Sequence, residues 1–567
     1  MNPGAVDDME AAARLETPLA GPHGGPTSGG GFVERRLQAH LDLIALFVVA
    51  AGFVVRILAA TKSYLNPDEA LHYLILNQPS AFQAYKASLS NAHPPLIYLV
   101  VYFWHFLGRS ELMLRMPSVL AGTAFCWTSF AWIKIIFGRA AGLIGVIVCA
   151  FSPAMIALSA ELRAYALMLF CMGTALYFLA RAFEERVAEK SVRQVWYFSG
   201  FLYLAILSHY SAVFFALALG LYALARIADS QLPRKAVAAW AAGQAGALGI
   251  YAFLYVTHIS KIKTSIASWA MPFDPSYFHW GDGNIFVFTR VNTLNIFLFL
   301  FAQRFIAQAM LLLFLASVIF LFTRDMASRG GSSASRRSGL LFLMPFAAVW
   351  GASLAGIYPY VGSRHTVFLA PFAIAAVSFL LAAVSRQKLW AALLIAAVFM
   401  GVSNTSAKPV EIAVAAGSES PALMAAAMYH IQQSVPRGSL ILVDFQSSLP
   451  VTYYLCGPET IIPSDTFQGE YFRFNCNGYS VISLHIWKLS PESFSTQFTQ
   501  MAQTSRLKPG DPVWVFQSGW GLNLGAELPT KDPKFRCLVP KNFGENITVI
   551  PFVVGPDFSP AAPSPGC

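Results

Sequence analysis

Long apolar runs separated by short polar stretches fill the first 400 residues of this chain. About 20 apolar residues are needed to cross the hydrocarbon layer of a membrane, so such runs read as membrane-crossing helices. The pattern predicts spans at 43–60, 114–136, 140–158, 163–181, 195–207, 210–228, 235–257, 300–323, 339–357, 366–384 and 389–403. That is about eleven transmembrane helices. The apolar stretch 94–107 is read as lying in the interface, inside a first outer loop of 61–113. No small-residue cleavage site follows the first run, which therefore reads as an uncleaved span. The first 30 residues are rich in Gly, Pro and Ala and lack an apolar core. Segment 1–40 is accordingly expected to be a disordered cytoplasmic tail, followed by a membrane domain over 41–404.

After residue 405 the apolar runs shorten. Leu440-Ile441-Leu442-Val443 and Val513-Trp514-Val515-Phe516 read as buried strands, and 421–434 has helical spacing with Leu423, Ala427 and Ile431 on one face. Segment 405–555 is expected to be an extracytoplasmic α/β domain, and 556–567 a Pro-rich tail. No Gly-rich phosphate loop or nucleophile motif stands out there. The plain reading of the domain is a cap or an acceptor-docking module.

Composition fits the pattern. Hydrophobic residues are 56% of the chain and charged ones 12%, about half the charged share of an ordinary soluble domain. The formal net charge of +10 is not a nucleic-acid footprint, because the cations sit in short loops between apolar runs. Arg181, Arg186, Lys190 and Arg193 share one loop, and Arg226, Arg234 and Lys235 another. Arg324, Arg329, Arg336 and Arg337 form a third group, and Arg386 and Lys388 a fourth. The positive-inside rule puts these loops in the cytoplasm. The N-terminus is then inside, and the C-terminal domain lies outside the cytoplasmic membrane.

Seven cysteines divide by place. Cys126, Cys149 and Cys171 lie in apolar spans as small packing residues. Cys456, Cys476, Cys537 and Cys567 lie in the C-terminal region, where an oxidising compartment permits bridges. Their connectivity is open.

The chemistry-bearing residues fall at outward-facing ends of spans. Tyr64-Leu65-Asn66-Pro67-Asp68-Glu69-Ala70-Leu71-His72-Tyr73 follows the first span, and His93-Pro94-Pro95-Leu96 comes next. Arg115, Glu161-Leu162-Arg163-Ala164-Tyr165, His209-Tyr210 and Arg364-His365 complete the set. Carboxylates at a membrane boundary are costly to desolvate and are usually put to use. Plainer roles stand beside that reading: a helix cap for Asp68-Glu69, a turn for His93, interfacial snorkelling for Arg115 and packing for His209.

Pro67-Asp68-Glu69-Ala70, His93-Pro94-Pro95-Leu96, Arg115-Met116-Pro117-Ser118 and Glu161-Leu162-Arg163-Ala164-Tyr165 occur in an order and at distances that are similar to the GT-C superfamily of membrane glycosyltransferases. The resemblance is to its bacterial branch related to protein O-mannosyltransferases and the lipid A aminoarabinose transferase, and it covers about residues 40–400. It implies a polyprenyl-phosphate-linked sugar as donor and a protein, lipid or envelope glycan as acceptor. Asp68 is then the central catalytic group and Glu69 its supporting carboxylate. His93, Arg115, Arg163 and Arg364 bind the donor phosphate, and Glu161, Tyr165, His209 and His365 bind substrate. His365 stands where the family usually has Tyr.

These residue types suit the reaction. A sugar leaving a polyprenyl phosphate departs as a stabilised anion and needs cations at the leaving oxygen. The acceptor hydroxyl needs a carboxylate that takes its proton, which implies direct displacement with inversion. No cofactor is required; a divalent metal on Asp68 and Glu69 is the competing role. Two other classes stand beside this one, a secondary transporter or flippase and a non-catalytic scaffold. No internal repeat pairs the two halves, and the polar residues gather at one surface, which disfavours a carrier.

Overall fold

The computed structural model describes residues 32–555 apart from 90, 186, 230–231, 262–274, 282, 328–333, 386–387, 406–419, 463–470, 485–497, 499–502, 504–510, 520–522 and 533–534. Of the expected disordered tail 1–40, residues 1–31 lie outside the described residues, but Phe32–Ala39 is a helix; the expected tail 556–567 also lies outside them.

The first part is a helical bundle. Helices α1 (Leu41–Ala60), α2 (Pro67–Leu76) and α3 (Leu96–Trp104) lead into α4 (Glu111–Phe137), α5 (Arg139–Phe151), α6 (Pro153–Ser159) and α7 (Tyr165–Glu184). Then come α8 (Ala188–Ser208), α9 (Ala212–Asp229), α10 (Arg234–Leu254), α11 (Ile285–Phe301), α12 (Arg304–Ala327) and α13 (Ala334–Leu354). The bundle closes with α14 (Ala370–Val384) and α15 (Leu389–Thr405). By length and composition seven described helices are able to cross a membrane, or eight with α5 and α6 taken as one span bent by 60°. The bend has a covalent cause: Pro153 has no N–H to give the carbonyl of Cys149, so the helix restarts at a new angle.

The span expected at 300–323 forms over Arg304–Thr323, and Ala302, with φ 59°, separates it from the preceding helix α11. Ile285–Phe301, most of which lies between the spans expected at 235–257 and 300–323, is an apolar helix of its own. The expected spans 195–207, 210–228 and 389–403 do form helices. However, α8 carries Glu189, Lys190 and Arg193 near its start, and α9 and α15 are short. Segment 96–107 is likewise short, and Phe103, Phe106 and Leu107 are exposed on it.

The C-terminal part is an α/β domain. Helix α16 (Pro421–Ser434) precedes strand β1 (Leu440–Asp444) and helix α17 (Phe445–Tyr454). Strands β2 (Tyr471–Cys476), β3 (Tyr479–Leu484), β4 (Pro512–Gln517), β5 (Phe535–Cys537), β6 (Lys541–Phe543) and β7 (Ile547–Val554) complete the sheet. Their order is β2-β3-β1-β4-β7-β5, with β6 also on β7. Strand β1 is parallel to β3 and β4, and the other pairings are antiparallel. A strand's side chains alternate between faces. Ile441 and Val443 thus pack with Met424, Ile431 and Leu449, while Leu440 and Leu442 pack with Val515, Leu524 and Leu528.

This domain is joined to the bundle through α2. Tyr64, Ala70 and Leu74 belong to the same core cluster as α16 and α17. The Leu65 N–H donates to Tyr454 Oη at 2.8 Å, and Tyr454 Oη donates to Glu111 at 2.5 Å. The carbonyl of Pro458 accepts from Tyr73 Oη and, at 3.0 Å, from Arg109 Nη1. Cys456, two residues before Pro458 in the chain, forms a disulfide with Cys476.

Candidate active site

The site is assembled on α2. Asn66 caps the helix: its Oδ1 accepts from the Glu69 N–H at 3.0 Å, and Glu69 Oε2 accepts from the Asn66 N–H at 3.1 Å. Pro67 sits in the first turn, where its missing N–H is not needed. Consecutive residues on a helix point about 100° apart, so Asp68 and Glu69 leave the backbone toward different partners.

Glu69 is fully committed. Arg115 Nε donates to Oε1 at 2.7 Å and Nη2 to Oε2 at 2.6 Å, and both side chains are 1% exposed. The Leu162 N–H also donates to Oε1, at 2.8 Å. Arg115 spends its other donors on the carbonyls of Ala60, Ser63 and Tyr64. With its five N–H groups engaged, Arg115 has none to offer a phosphate. The expectation that it binds the donor phosphate is corrected: it is a buried staple between α4, α2 and the end of α1.

Asp68 faces the other way. Its Oδ2 accepts from Arg163 Nη1 and from Arg364 Nη1, both at 2.8 Å. Asp68 is 40% exposed and Arg364 33%, whereas Arg163 is 4% exposed. Burial raises the affinity of the Asp68 carboxyl for a proton, but the two guanidiniums outweigh it and hold the group well below the usual carboxylate range. Two cations against one carboxylate leave a surplus of positive charge at an accessible position.

Three segments deliver these groups. Arg163 lies between α6 and α7, where Ser118 Oγ donates to its carbonyl at 3.1 Å. Arg364 begins a 3-10 turn capped by Ser363, whose Oγ accepts from the His365 N–H at 3.2 Å. Gly362 precedes it with its Cα against α11, and a Cβ there would lie 1.9 Å from the carbonyl oxygen of Asn295. That close approach fixes where Arg364 emerges.

Histidines line the remainder. Arg163 Nη2 lies 3.4 Å from His93 Nε2. A guanidinium only donates, so the ring proton belongs on Nδ1, which is buried without a partner. Burial first, and then Arg163, hold His93 well below the ordinary histidine value, so it is a neutral donor. The His93 ring lies 5.2 Å from His209, which lies 5.0 Å from Tyr165 and 6.4 Å from His365. Of the expected site residues, Asp68, His93, Arg163, Arg364, Tyr165, His209 and His365 thus converge on one cluster. Glu161 is next to it, since its pKa responds to Glu69, Arg163, Arg364 and Asp68.

Sequence reasoning missed His72 and Tyr98. His72 Nδ1 is 2.8 Å from the Asp68 carbonyl, Nε2 is 3.3 Å from Tyr98 Oη, and its ring is 5.4 Å from His93. Burial and Arg163 lower its pKa to about 3. Its place four residues after Asp68, on the same helix face, was the available signal.

The competing metal role does not suit the Asp68–Glu69 pair. Both Glu69 oxygens accept from nitrogen donors, and the two carboxylates face different guanidiniums. Among the described residues no three His, Cys, Asp or Glu side chains gather as a metal cage.

The helical bundle, the appended α/β domain and an acid–arginine–histidine cluster where they meet define a polytopic membrane protein with an anion-ready site. Residues 92–255 match the family model described as dolichyl-phosphate-mannose-protein mannosyltransferase. The chain is similar in fold to ArnT from Cupriavidus metallidurans bound to undecaprenyl phosphate, with TM-score 0.54, 13% identity, and 89% of this chain and 97% of that one covered. The apo state of the same protein gives TM-score 0.55 at 12% identity, with the same coverage. Inner membrane protein YdgC of Escherichia coli (strain K12) is 33% identical over 105 residues, covering 16% of this chain and 86% of that protein. The family match thus covers residues 92–255, and the fold over most of the chain is similar to that of ArnT.

Proposed function

We propose that this chain moves a sugar from a polyprenyl phosphate to an acceptor hydroxyl or similar group at the outer face of the cytoplasmic membrane, with inversion at the sugar carbon. The observation that carries the reading is the pair of guanidiniums, Arg163 and Arg364, meeting on one oxygen of Asp68 at 2.8 Å. The arginines and the neutral N–H of His93 are the groups that hold the donor phosphate. Asp68 takes the acceptor's proton. Glu161, Tyr165, His209 and His365 line the sugar and acceptor space.

In the transfer the acceptor oxygen bonds to the anomeric carbon as its O–H bond breaks toward Asp68. The bond from that carbon to the phosphate oxygen breaks, and the polyprenyl phosphate leaves with the electron pair. Charge grows on the phosphate, where fixed cations stabilise the transition state more than the ground state. That ArnT is recorded with undecaprenyl phosphate supports a donor of this lipid class. The acceptor is a protein, a lipid or an envelope glycan, and the loop-charge pattern supports a cytoplasmic N-terminus. A carrier reading has less support, because the charged groups gather at one end of the bundle beside the α/β domain.

The test is transfer from a panel of radiolabelled polyprenyl-phosphate sugars in proteoliposomes, comparing wild type with Asp68→Asn. Removing a general base costs about 10²–10⁴ in rate. Transfer by wild type and its loss in a folded variant is the expected result. Wild-type transfer that survives Asp68→Asn would overturn the assignment of the base.

A further inference from the structure

A general base must be free to accept a proton, yet Asp68 Oδ2 already accepts from two arginines. A carboxylate so held is weakly basic, because protonation would forfeit both ion pairs. The arginines are in turn the cations expected to hold the donor phosphate. Asp68 and the two arginines, the working parts of the site, are thus set against each other.

Three observations bear on the conflict. Both ion pairs fall on the same carboxylate oxygen, so they hold or release Asp68 at a single point. Arg163 is buried and braced, with Nη2 toward His93 and its carbonyl bonded to Ser118, while Arg364 is one-third exposed at the rim. The third is the unpartnered Nδ1 of His93, a buried donor with room in its bonding for a ligand oxygen.

We propose that the donor's phosphate displaces Asp68 from Arg364 and shares Arg163, so that the carboxylate becomes able to take the acceptor's proton only in a site that already holds the donor. The proposal rests on the polyprenyl-phosphate reading above and adds an order of events to it. The donor, a phosphodiester with one negative charge, enters first and competes for the guanidiniums. As the sugar transfers, the acceptor's proton passes to Asp68 and neutralises it. The leaving monoester gains charge at the same moment. A neutral Asp68 no longer competes for the arginines, so they remain on the phosphate when its charge is greatest. When polyprenyl phosphate departs, Asp68 gives up its proton to water and the ion pairs re-form.

The consequence runs against ordinary expectation for a site residue. Asp68 is a competitor of the phosphate, so removing its charge must strengthen phosphate binding while abolishing transfer. The experiment measures equilibrium binding of undecaprenyl phosphate to the purified full-length protein in nanodiscs, for wild type, Asp68→Asn and Arg364→Ala. Asp68→Asn is expected to bind at least about tenfold more tightly, as close charge pairs couple by that much or more. Arg364→Ala is expected to bind more weakly than wild type. A thermal midpoint for each variant separates binding changes from misfolding.

If wild type binds and transfers but Asp68→Asn binds no more tightly, the exchange is wrong while the transferase reading stands. Weaker binding in Asp68→Asn would make Asp68 a holder of the arginines, which also overturns the exchange. If wild type binds no undecaprenyl phosphate and transfers nothing, the donor class is wrong and the exchange falls with it.

Discussion

Arg115 grips Glu69 at two points, Nε on Oε1 and Nη2 on Oε2, with neither side chain reaching solvent. The grip ties α4 to the first turn of α2, the helix that carries Asp68. Arg115 also holds three carbonyls between Ala60 and Tyr64, so it shapes the chain where α1 ends. Removing one partner of such a pair leaves a buried, unmatched charge, which costs about 3–5 kcal/mol. Arg115→Ala is therefore expected to lower the thermal midpoint sharply and the yield of folded protein with it. Unfolding followed in detergent by a thiol-reactive dye or by light scattering gives the answer. A midpoint within error of wild type would mean that the pair is dispensable.

Glu161 gives the protein a pH dependence of predictable sign. Burial, and next the nearby Glu69 carboxylate, push its carboxyl up from an ordinary value of 4.5 to about 7. The folded state therefore prefers Glu161 protonated. Below pH 4.5 it is protonated in both states and carries no penalty. Between pH 4.5 and about 7 the unfolded chain ionises first, so stability falls as pH rises. Above that window the penalty is complete. Gln imitates the protonated acid, so Glu161→Gln should match wild type near pH 4.5 and exceed it at pH 8. The residue is partly exposed, which limits the gain to about 2 °C in a chain of this size. Thermal midpoints of the two proteins across pH 4.5–8 test it, and a gap that closes as pH rises would reverse the sign.

The parts of this architecture that a sequence shows are those set by local pattern. Segment 421–434 and the strands around Leu440 and Val513 were legible because their apolar spacing matches a helix face or a strand. Helix Ile285–Phe301 was not, because Arg290, Asn292 and Asn295 interrupt its hydropathy. In the site, nearly all the residues that meet around Asp68 are legible in the sequence, since charged groups in an apolar chain are conspicuous. Their division of labour was hidden. Arg115 and Arg163 look alike in sequence, and only the fold shows one saturated by carbonyls and the other turned toward Asp68. Glu69 and Asp68 are neighbours in the chain but a third of a helical turn separates their directions.

The Cys456–Cys476 disulfide closes a loop of 20 residues next to the carbonyl of Pro458, on which Tyr73 and Arg109 converge. A loop of that size contributes about 3 kcal/mol by limiting the unfolded chain. Its loss should loosen the contact between the α/β domain and α2, the helix that carries Asp68. The double variant Cys456→Ser/Cys476→Ser is expected to remain in the membrane with a lower thermal midpoint and reduced sugar transfer. Wild type treated with a reductant should behave likewise, and the variant should be insensitive to it. Transfer at the wild-type rate in the folded double variant would show that the clamp does not support the site.

Arg56 lies in α1, a helix long and apolar enough to cross a membrane, and is fully buried. It donates to the carbonyls of Ala150 at 2.9 Å and Cys149 at 3.2 Å, in the last turn of α5. Pro153 deprives Cys149 of its helical donor, so the guanidinium completes what the bend leaves open. Replacing Arg56 by Leu has two opposed effects. Two buried carbonyls lose a partner, at about 1–3 kcal/mol each. The desolvation of a guanidinium within the bundle, about 2.5–3.5 kcal/mol on insertion scales, is recovered. The terms nearly cancel, so the thermal midpoint should move little. The geometry of the bend has no such compensation, and α6 runs from it directly into Glu161 and Arg163. Arg56→Leu is therefore expected to fold and to lose turnover, while Arg56→Lys, which keeps a donor at the bend, should recover part of it. Turnover of each variant in proteoliposomes beside its thermal midpoint decides the matter: full turnover in Arg56→Leu would show that the bend holds its angle unaided, and a collapse in midpoint would show that the carbonyls outweigh the charge.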